Sequence, residues 1–169
     1  MRSLLIMLLL TAPFPALGQS PPAERARTSI YLEVLGNGGP YSFNIEREAL
    51  PRAGLRLGFT AWTNDGQFID TRLIMVPVML NYRIGSGTST LELGGGLLLG
   101  RQVEEEGGAQ TTSGITNLTA TIGYRRQPVR GGLVLRAGFT PFLSLNSSDV
   151  AYPDPGFTPS AGVSVGYAF

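Results

Sequence analysis

Residues 161–169 alternate without a break between large and small side chains. Ala161, Val163, Val165, Tyr167 and Phe169 share one parity, and Gly162, Ser164, Gly166 and Ala168 share the other. A strand turns successive side chains to opposite faces, so this stretch has one greasy face and one small, weakly polar face. It stops on an aromatic residue of the greasy face, with no polar tail behind it. Water gives such an ending little, whereas a membrane interface favours Tyr and Phe.

The same alternation returns along the chain. Residues 29–36 set Ile30, Leu32 and Val34 against Tyr31 and Glu33, and residues 41–48 set Tyr41, Phe43 and Ile45 against Ser42, Asn44 and Glu46. Residues 52–62 set Leu55, Leu57 and Phe59 against Gly54, Arg56 and Thr60. Residues 72–83 carry Ile74, Val76, Val78, Leu80 and Tyr82 on one face, but Met75, Pro77 and Met79 blur the other. Proline removes a ladder hydrogen bond, so a bulge is expected at Pro77. Residues 89–100 set Leu91, Leu93, Leu97 and Leu99 against Glu92, Gly94 and Gly96. Residues 115–125 set Leu118, Ile122 and Tyr124 against Asn117, Thr119 and Thr121, and residues 132–143 set Leu133, Leu135 and Phe139 against Arg136, Gly138 and Thr140. With residues 161–169 these make eight strands. The links are turn chemistry at residues 37–40, 49–51 and 85–87, a polar loop at 63–70, a long acidic loop at 101–114, a short link at 126–130 and a long loop at 144–156.

These elements predict an all-β fold, an eight-stranded antiparallel up-and-down transmembrane β-barrel. The links after the second, fourth and sixth strands are short, and those after the third, fifth and seventh are longer and more polar. With the N-terminus starting in the periplasm, that asymmetry places those short links on the periplasmic side; the link after the first strand, short and outer, is the exception. With this orientation Tyr41, Phe43, Phe59 and Phe139 lie toward the outer ends of their strands, and Tyr82, Tyr124, Tyr167 and Phe169 toward the periplasmic ends, as two aromatic girdles. Glu33, Glu46, Arg56, Glu92 and Arg136 all take the parity opposite to the aliphatic residues. An arginine at the bilayer midplane costs about 2–4 kcal/mol. Inside a lumen the same groups can pair, and a structural cluster of lumen ion pairs is the expectation, in preference to an acid/base pair or an ion gate. A soluble lipocalin-like carrier would also have eight strands, but with its greasy face inward and a charged outer face. Here the polar face is mostly Gly, Ser, Thr and Asn, which suits a tight interior.

The 169 residues divide into a signal peptide over 1–18, a short periplasmic lead over 19–28 and a barrel domain over 29–169. Arg2, the apolar run 4–10 and the small Ala16 and Gly18 carry the first assignment; Pro13 and Pro15 argue against a spanning helix. The sequence has no cysteine, which excludes lipid attachment and disulfides. Net charge is +1, and nothing suggests a nucleic-acid partner. The sequence has no histidine, so a Ser–His nucleophile pair cannot be built, and Ser144, Ser147 and Ser148 are read as loop residues. Glu104, Glu105 and Glu106 read as a solvated loop tip, with a weaker reading as a divalent-cation site; Asp149 and Asp154 have a similar weak claim. The matches at Asn117 and Asn146 to a glycosylation sequon carry no weight, and Gly94 to Gly96 reads as strand packing. No catalytic residue, metal site or cofactor is expected.

The ending with Val165, Tyr167 and Phe169 resembles the C-terminal signature of bacterial outer-membrane barrels, in which it serves as an assembly signature. Residues 31–38, 41–47, 76–82, 91–96 and 136–141 resemble the small outer-membrane β-barrel domain family. The resemblance implies a barrel in the bacterial outer membrane, with membrane lipids, the barrel-assembly machinery and periplasmic chaperones as partners, and a monomeric state. It supplies no catalytic residue, and outer-membrane barrel enzymes that deacylate lipid A, cleave phospholipids or cut peptides rely on histidine. The expected role is structural or surface-interacting, with a narrow pore and a soluble lipid carrier as alternatives.

Overall fold

The computed structural model describes residues 26–66, 69–145 and 156–169. The leader, most of the lead, Asn146, Ser147, Ser148, Asp149 and Asp154 lie outside the described residues. The elements are β1 (Thr28–Gly36), β2 (Gly39–Leu50), β3 (Ala53–Asp65), β4 (Ile69–Ile84), β5 (Ser89–Glu106), β6 (Ala109–Arg126), β7 (Gly132–Phe139), β8 (Phe142–Ser144), β9 (Phe157–Thr158) and β10 (Ala161–Ala168). Each pairs antiparallel with its neighbours, and β1 closes on β10 from Ser29 against Ala168 to Val34 against Val163. The result is a closed ring of eight strands.

Ten segments make eight ring strands because two strands are interrupted. β8 continues the register of β7 on β6, and β9 continues that of β10. The breaks fall at Pro141 and Pro159, neither of which has an N–H to donate to the ladder. The Thr140 N–H still reaches the Ser160 carbonyl at 2.7 Å, so the ring stays closed across the gap.

Three expectations are corrected. Pro77 makes no bulge: the β3–β4 register is the same on both sides of it, with rungs missing only at Gly58 and Phe59. Gly58 leaves the room the ring needs, since a Cβ there would lie 2.6 Å from Pro77 Cγ. The register shift instead falls in β2, between Glu48 and Leu50. The acidic loop over residues 101–114 is strand on both sides. β5 and β6 pair out to Glu106 against Ala109, around a two-residue turn at Gly107 and Gly108. Both glycines have positive φ, 56° and 86°, which a tight hairpin turn needs and glycine adopts without steric cost. The polar loop over residues 63–70 is likewise shorter, because β3 runs to Asp65 and β4 starts at Ile69.

The two faces of the ring are chemically opposite. Arg56 is 0% exposed and Arg136 7%, whereas Val163 is 59% exposed and Phe43 64%. The eight aromatic residues expected at the girdles all carry the outward parity, while Tyr31 and Phe142 point inward and are buried. This is the reverse of a soluble carrier, whose apolar face lines its cavity.

Candidate functional site: a sealed, charge-balanced lumen

The interior is a stack of four layers. Alternation on β1, β2, β5 and β7 sends Glu33, Glu46, Glu92 and Arg136 inward, and β3 adds Arg56. A sixth member, Arg125 of β6, joins them and is itself buried. Arg125 shares parity with Thr121 and Gly123, and that parity was the signal available in the sequence; its position beside Arg126 at the strand end conceals it.

Three carboxylates therefore meet three guanidiniums. Arg125 Nη1 donates to Glu46 Oε1 at 2.5 Å and to Glu92 Oε2 at 2.8 Å; its Nη2 donates to Ser29 Oγ at 3.1 Å and its Nε to Gln127 Oε1 at 2.9 Å. Arg136 pairs with the other oxygen of Glu92 and stands 3.8 Å from Glu33 Oε1. Arg56 pairs with Glu33 Oε2 and donates from Nε to Asn44 Oδ1 at 2.9 Å. The Tyr31 ring lies between Arg136 and Arg56, 4.6 and 5.5 Å from their guanidinium carbons. Its hydroxyl donates to Glu46 Oε2 at 3.1 Å, which also accepts from Asn81 Nδ2 at 2.8 Å. Every one of the six charges has an opposite charge beside it. That matching is what makes burial of so many ions tolerable, because an unpaired buried ion costs several kcal/mol (about 3–5). The cation–π contacts add attraction that depends on the ring being dry. A seventh and eighth charge, Arg83 and Glu48, pair nearer the end where β1 begins.

Above this layer the β1–β2 turn folds into the barrel. Leu35 has φ of 59°, a conformation costing a bulky residue about 1–2 kcal/mol, and it bends the end of β1. Asn37 is consequently 0% exposed. Its Nδ2 donates to Thr119 Oγ1 at 2.6 Å and to the Ala120 carbonyl at 2.9 Å, on the far wall. Its Oδ1 accepts from Thr121 Oγ1 at 2.8 Å and from Arg56 Nη1 at 3.2 Å. Thr60 Oγ1 lies 2.8 Å from the Gly38 carbonyl and within hydrogen-bond reach of that of Tyr41. One asparagine thus ties three walls together across the axis. Its four bonds use its whole amide, so nothing polar is left facing an apolar neighbour.

Beyond the turn comes an apolar cap of Leu73, Met75, Leu98, Ile115 and Phe142, all buried. At the opposite end, where β1 begins and β10 ends, Ala26, Val134 and Ala168 form a second small cluster, and the Ala26 N–H donates to the Val129 carbonyl at 2.9 Å. Among the described residues, buried side chains of all four layers occupy the lumen, and most of its polar groups are paired with one another. Among the described residues no group of acidic side chains is placed to hold a metal ion. Glu104, Glu105 and Glu106 lie on a strand at the top of the β5 wall, where Glu104 Oε1 accepts from Gln102 Nε2 at 2.8 Å. Val165, Tyr167 and Phe169 face outward, and the Phe169 N–H donates to the Thr28 carbonyl at 2.8 Å, closing the seam.

Comparison with solved structures identifies this architecture. The N-terminal β-barrel domain of Pseudomonas aeruginosa OprF superposes with a TM-score of 0.62 at 13% identity, covering 86% of this chain and 98% of that one. Ail, the attachment invasion locus protein of Yersinia pestis, gives 0.52 at 14% identity over 85% and 97%. Neisserial surface protein A gives 0.51 at 15% identity over 85% and 93%. No protein-family model and no curated protein matches the sequence. At these identities the likeness is one of fold, and the chain has the fold of the small eight-stranded outer-membrane β-barrels.

Proposed function

We propose that this protein is an integral component of the bacterial outer membrane with a closed lumen and no catalysis, acting in envelope structure or surface contact. The observation that carries the reading is the pairing of an apolar, aromatic-girdled exterior with an interior occupied by balanced ion pairs. Such a molecule is stable only with hydrocarbon around it, and its side-chain-filled interior disfavours free diffusion of solutes.

Surface contact is assigned to the outer wall. β3, β4, β5 and β6 rise above the low β1–β2 rim, and the part of β5 beyond Gly100 extends about 20 Å at strand rise. That wing carries Asp70, Arg72, Arg101, Glu105 and Glu106 in the open. A wing of polar strand needs no core of its own and presents a rigid edge to a partner. Two proteins sharing the fold are named as a surface protein and an attachment invasion locus protein, which fits a role of this kind. The barrel-assembly machinery and periplasmic chaperones are its proposed partners in biogenesis, outer-membrane lipids its permanent ones, and a monomer its proposed state.

Two experiments test the reading. Detergent-extracted protein should migrate faster unboiled than boiled, as a closed barrel does; identical mobility argues against it. Planar-bilayer recording should give no steady single-channel steps. Regular steps at unit occupancy would favour the narrow-pore alternative.

A further inference from the structure

We propose that the outer face of β10, β1, β2 and β3 is a specific site for one anionic phospholipid of the periplasmic leaflet. The proposal rests on the membrane reading above. A groove of about 570 Å³ crosses these strands. Its floor is Leu32, which is half-buried and stands between more exposed neighbours: Phe43 on β2 and Val165 on β10 are its direct register partners. Ile45, Leu57 and Tyr167 complete the walls. Every one of these side chains points toward hydrocarbon. A groove on the outside of a barrel is a place where an acyl chain gains more contact than on a convex wall, because dispersion grows with the number of neighbouring atoms.

The headgroup assignment comes from the periplasmic end of the groove. Arg47 follows Ile45 on the same face of β2, opposite Thr28 on β1 and Leu55 on β3. It is exposed and has no ion-pair partner among the described residues. Arg27, at the foot of β1, takes the lumen parity of Ser29 and Tyr31 and stands across from Glu48, whose N–H its carbonyl accepts at 2.7 Å, so it is not part of the outer face. The neighbouring carboxylates are engaged elsewhere: Glu46 points into the lumen with Arg125, and Glu48 pairs with Arg83. Arg47 therefore stands without an ion-pair partner among the described residues at the depth of the periplasmic aromatic girdle, where lipid phosphates lie. Guanidinium offers phosphate paired N–H donors, and a lipid with net negative charge neutralises Arg47 where a zwitterionic one does not.

The test is native mass spectrometry of the folded protein in mild detergent with equimolar phosphatidylglycerol and phosphatidylcholine. The wild type should retain phosphatidylglycerol in preference, by about fivefold for the contribution of Arg47 alone. Arg47→Gln should lower the ratio by about that factor. Leu32→Trp, which fills the floor, should cut retention of both lipids. Equal retention by the wild type overturns the site. So does an unchanged preference in Arg47→Gln, or full retention in Leu32→Trp. The gel-mobility shift of each variant is read in parallel. A shift without lipid preference refutes the lipid site alone, whereas loss of the shift in the wild type refutes the membrane reading on which it stands. Arg47 is at the surface, so its variant keeps the test decisive should Leu32→Trp fail to fold.

Discussion

Arg125→Met is the most informative single change in the lumen. It deletes four side-chain hydrogen bonds, to Glu46, Glu92, Ser29 and Gln127, while roughly keeping volume. The consequences for its two acidic partners differ. Glu92 keeps Arg136. Glu46 loses its one guanidinium partner and is left with the Tyr31 hydroxyl and the Asn81 amide. One buried carboxylate without a cation is the dominant cost, about 3–5 kcal/mol. With an m-value near 2 kcal/mol/M, that moves the urea midpoint of the barrel in vesicles down by about 2 M. Replacing the orphaned carboxylate by an amide should return much of the loss. In the double variant Arg125→Met, Glu46→Gln the midpoint should therefore recover, giving a coupling of about 0.5–3 kcal/mol between the two sites. The reasoning fails if Arg125→Met stays within about 1 kcal/mol of wild type, or if Glu46→Gln lowers the double variant further.

The remaining predictions concern backbone and topology. Leu35→Gly should be neutral or stabilising by up to about 1 kcal/mol, because it removes positive-φ strain from an exposed side chain; denaturant titration showing a loss of about 2 kcal/mol would contradict the inward fold of the β1–β2 turn. Gly166→Ala should weaken the closing seam by about 1–3 kcal/mol, since its Cβ would lie 2.0 Å from the Ile30 carbonyl oxygen; a thermal melt equal to wild type would contradict the close approach of β10 to β1. An epitope inserted between Gly107 and Gly108 should leave the barrel folded and be reached by antibody on intact cells; binding only after permeabilisation would invert the orientation.

What the sequence reveals is decided by solvent. Where a strand crosses from apolar surroundings to a polar interior, the two faces need opposite chemistry, and the alternation from Val163 to Phe169 or about Arg56 is plain. Above the bilayer that contrast disappears. Gln110, Thr111, Thr112 and Ser113 are strand residues with polar surroundings on both sides, so periodicity gives them no mark and they read as loop. The hairpin signal left there was the Gly107–Gly108 pair. Five lumen charges were legible from parity, but Arg125, the hub of the network, was hidden by its neighbour Arg126. Asn37 reads as an ordinary turn residue. Its passage across the lumen depends on the left-handed bend at Leu35, a conformation that leucine does not advertise. Pro77 suggests a bulge by its chemistry alone; the space that lets the register pass it comes from Gly58 on the next strand.

The central claim is that hydrocarbon contacts one parity and a dry, paired interior takes the other. Because the chain has no cysteine, single cysteines can carry nitroxide labels at will. Labels at Leu93 and Val163 in reconstituted barrels should relax strongly with oxygen and weakly with a water-soluble nickel complex, and a label at Ser164 should be shielded from both. Strong nickel relaxation at Leu93 and Val163, with oxygen reaching Ser164, would show the faces to be reversed.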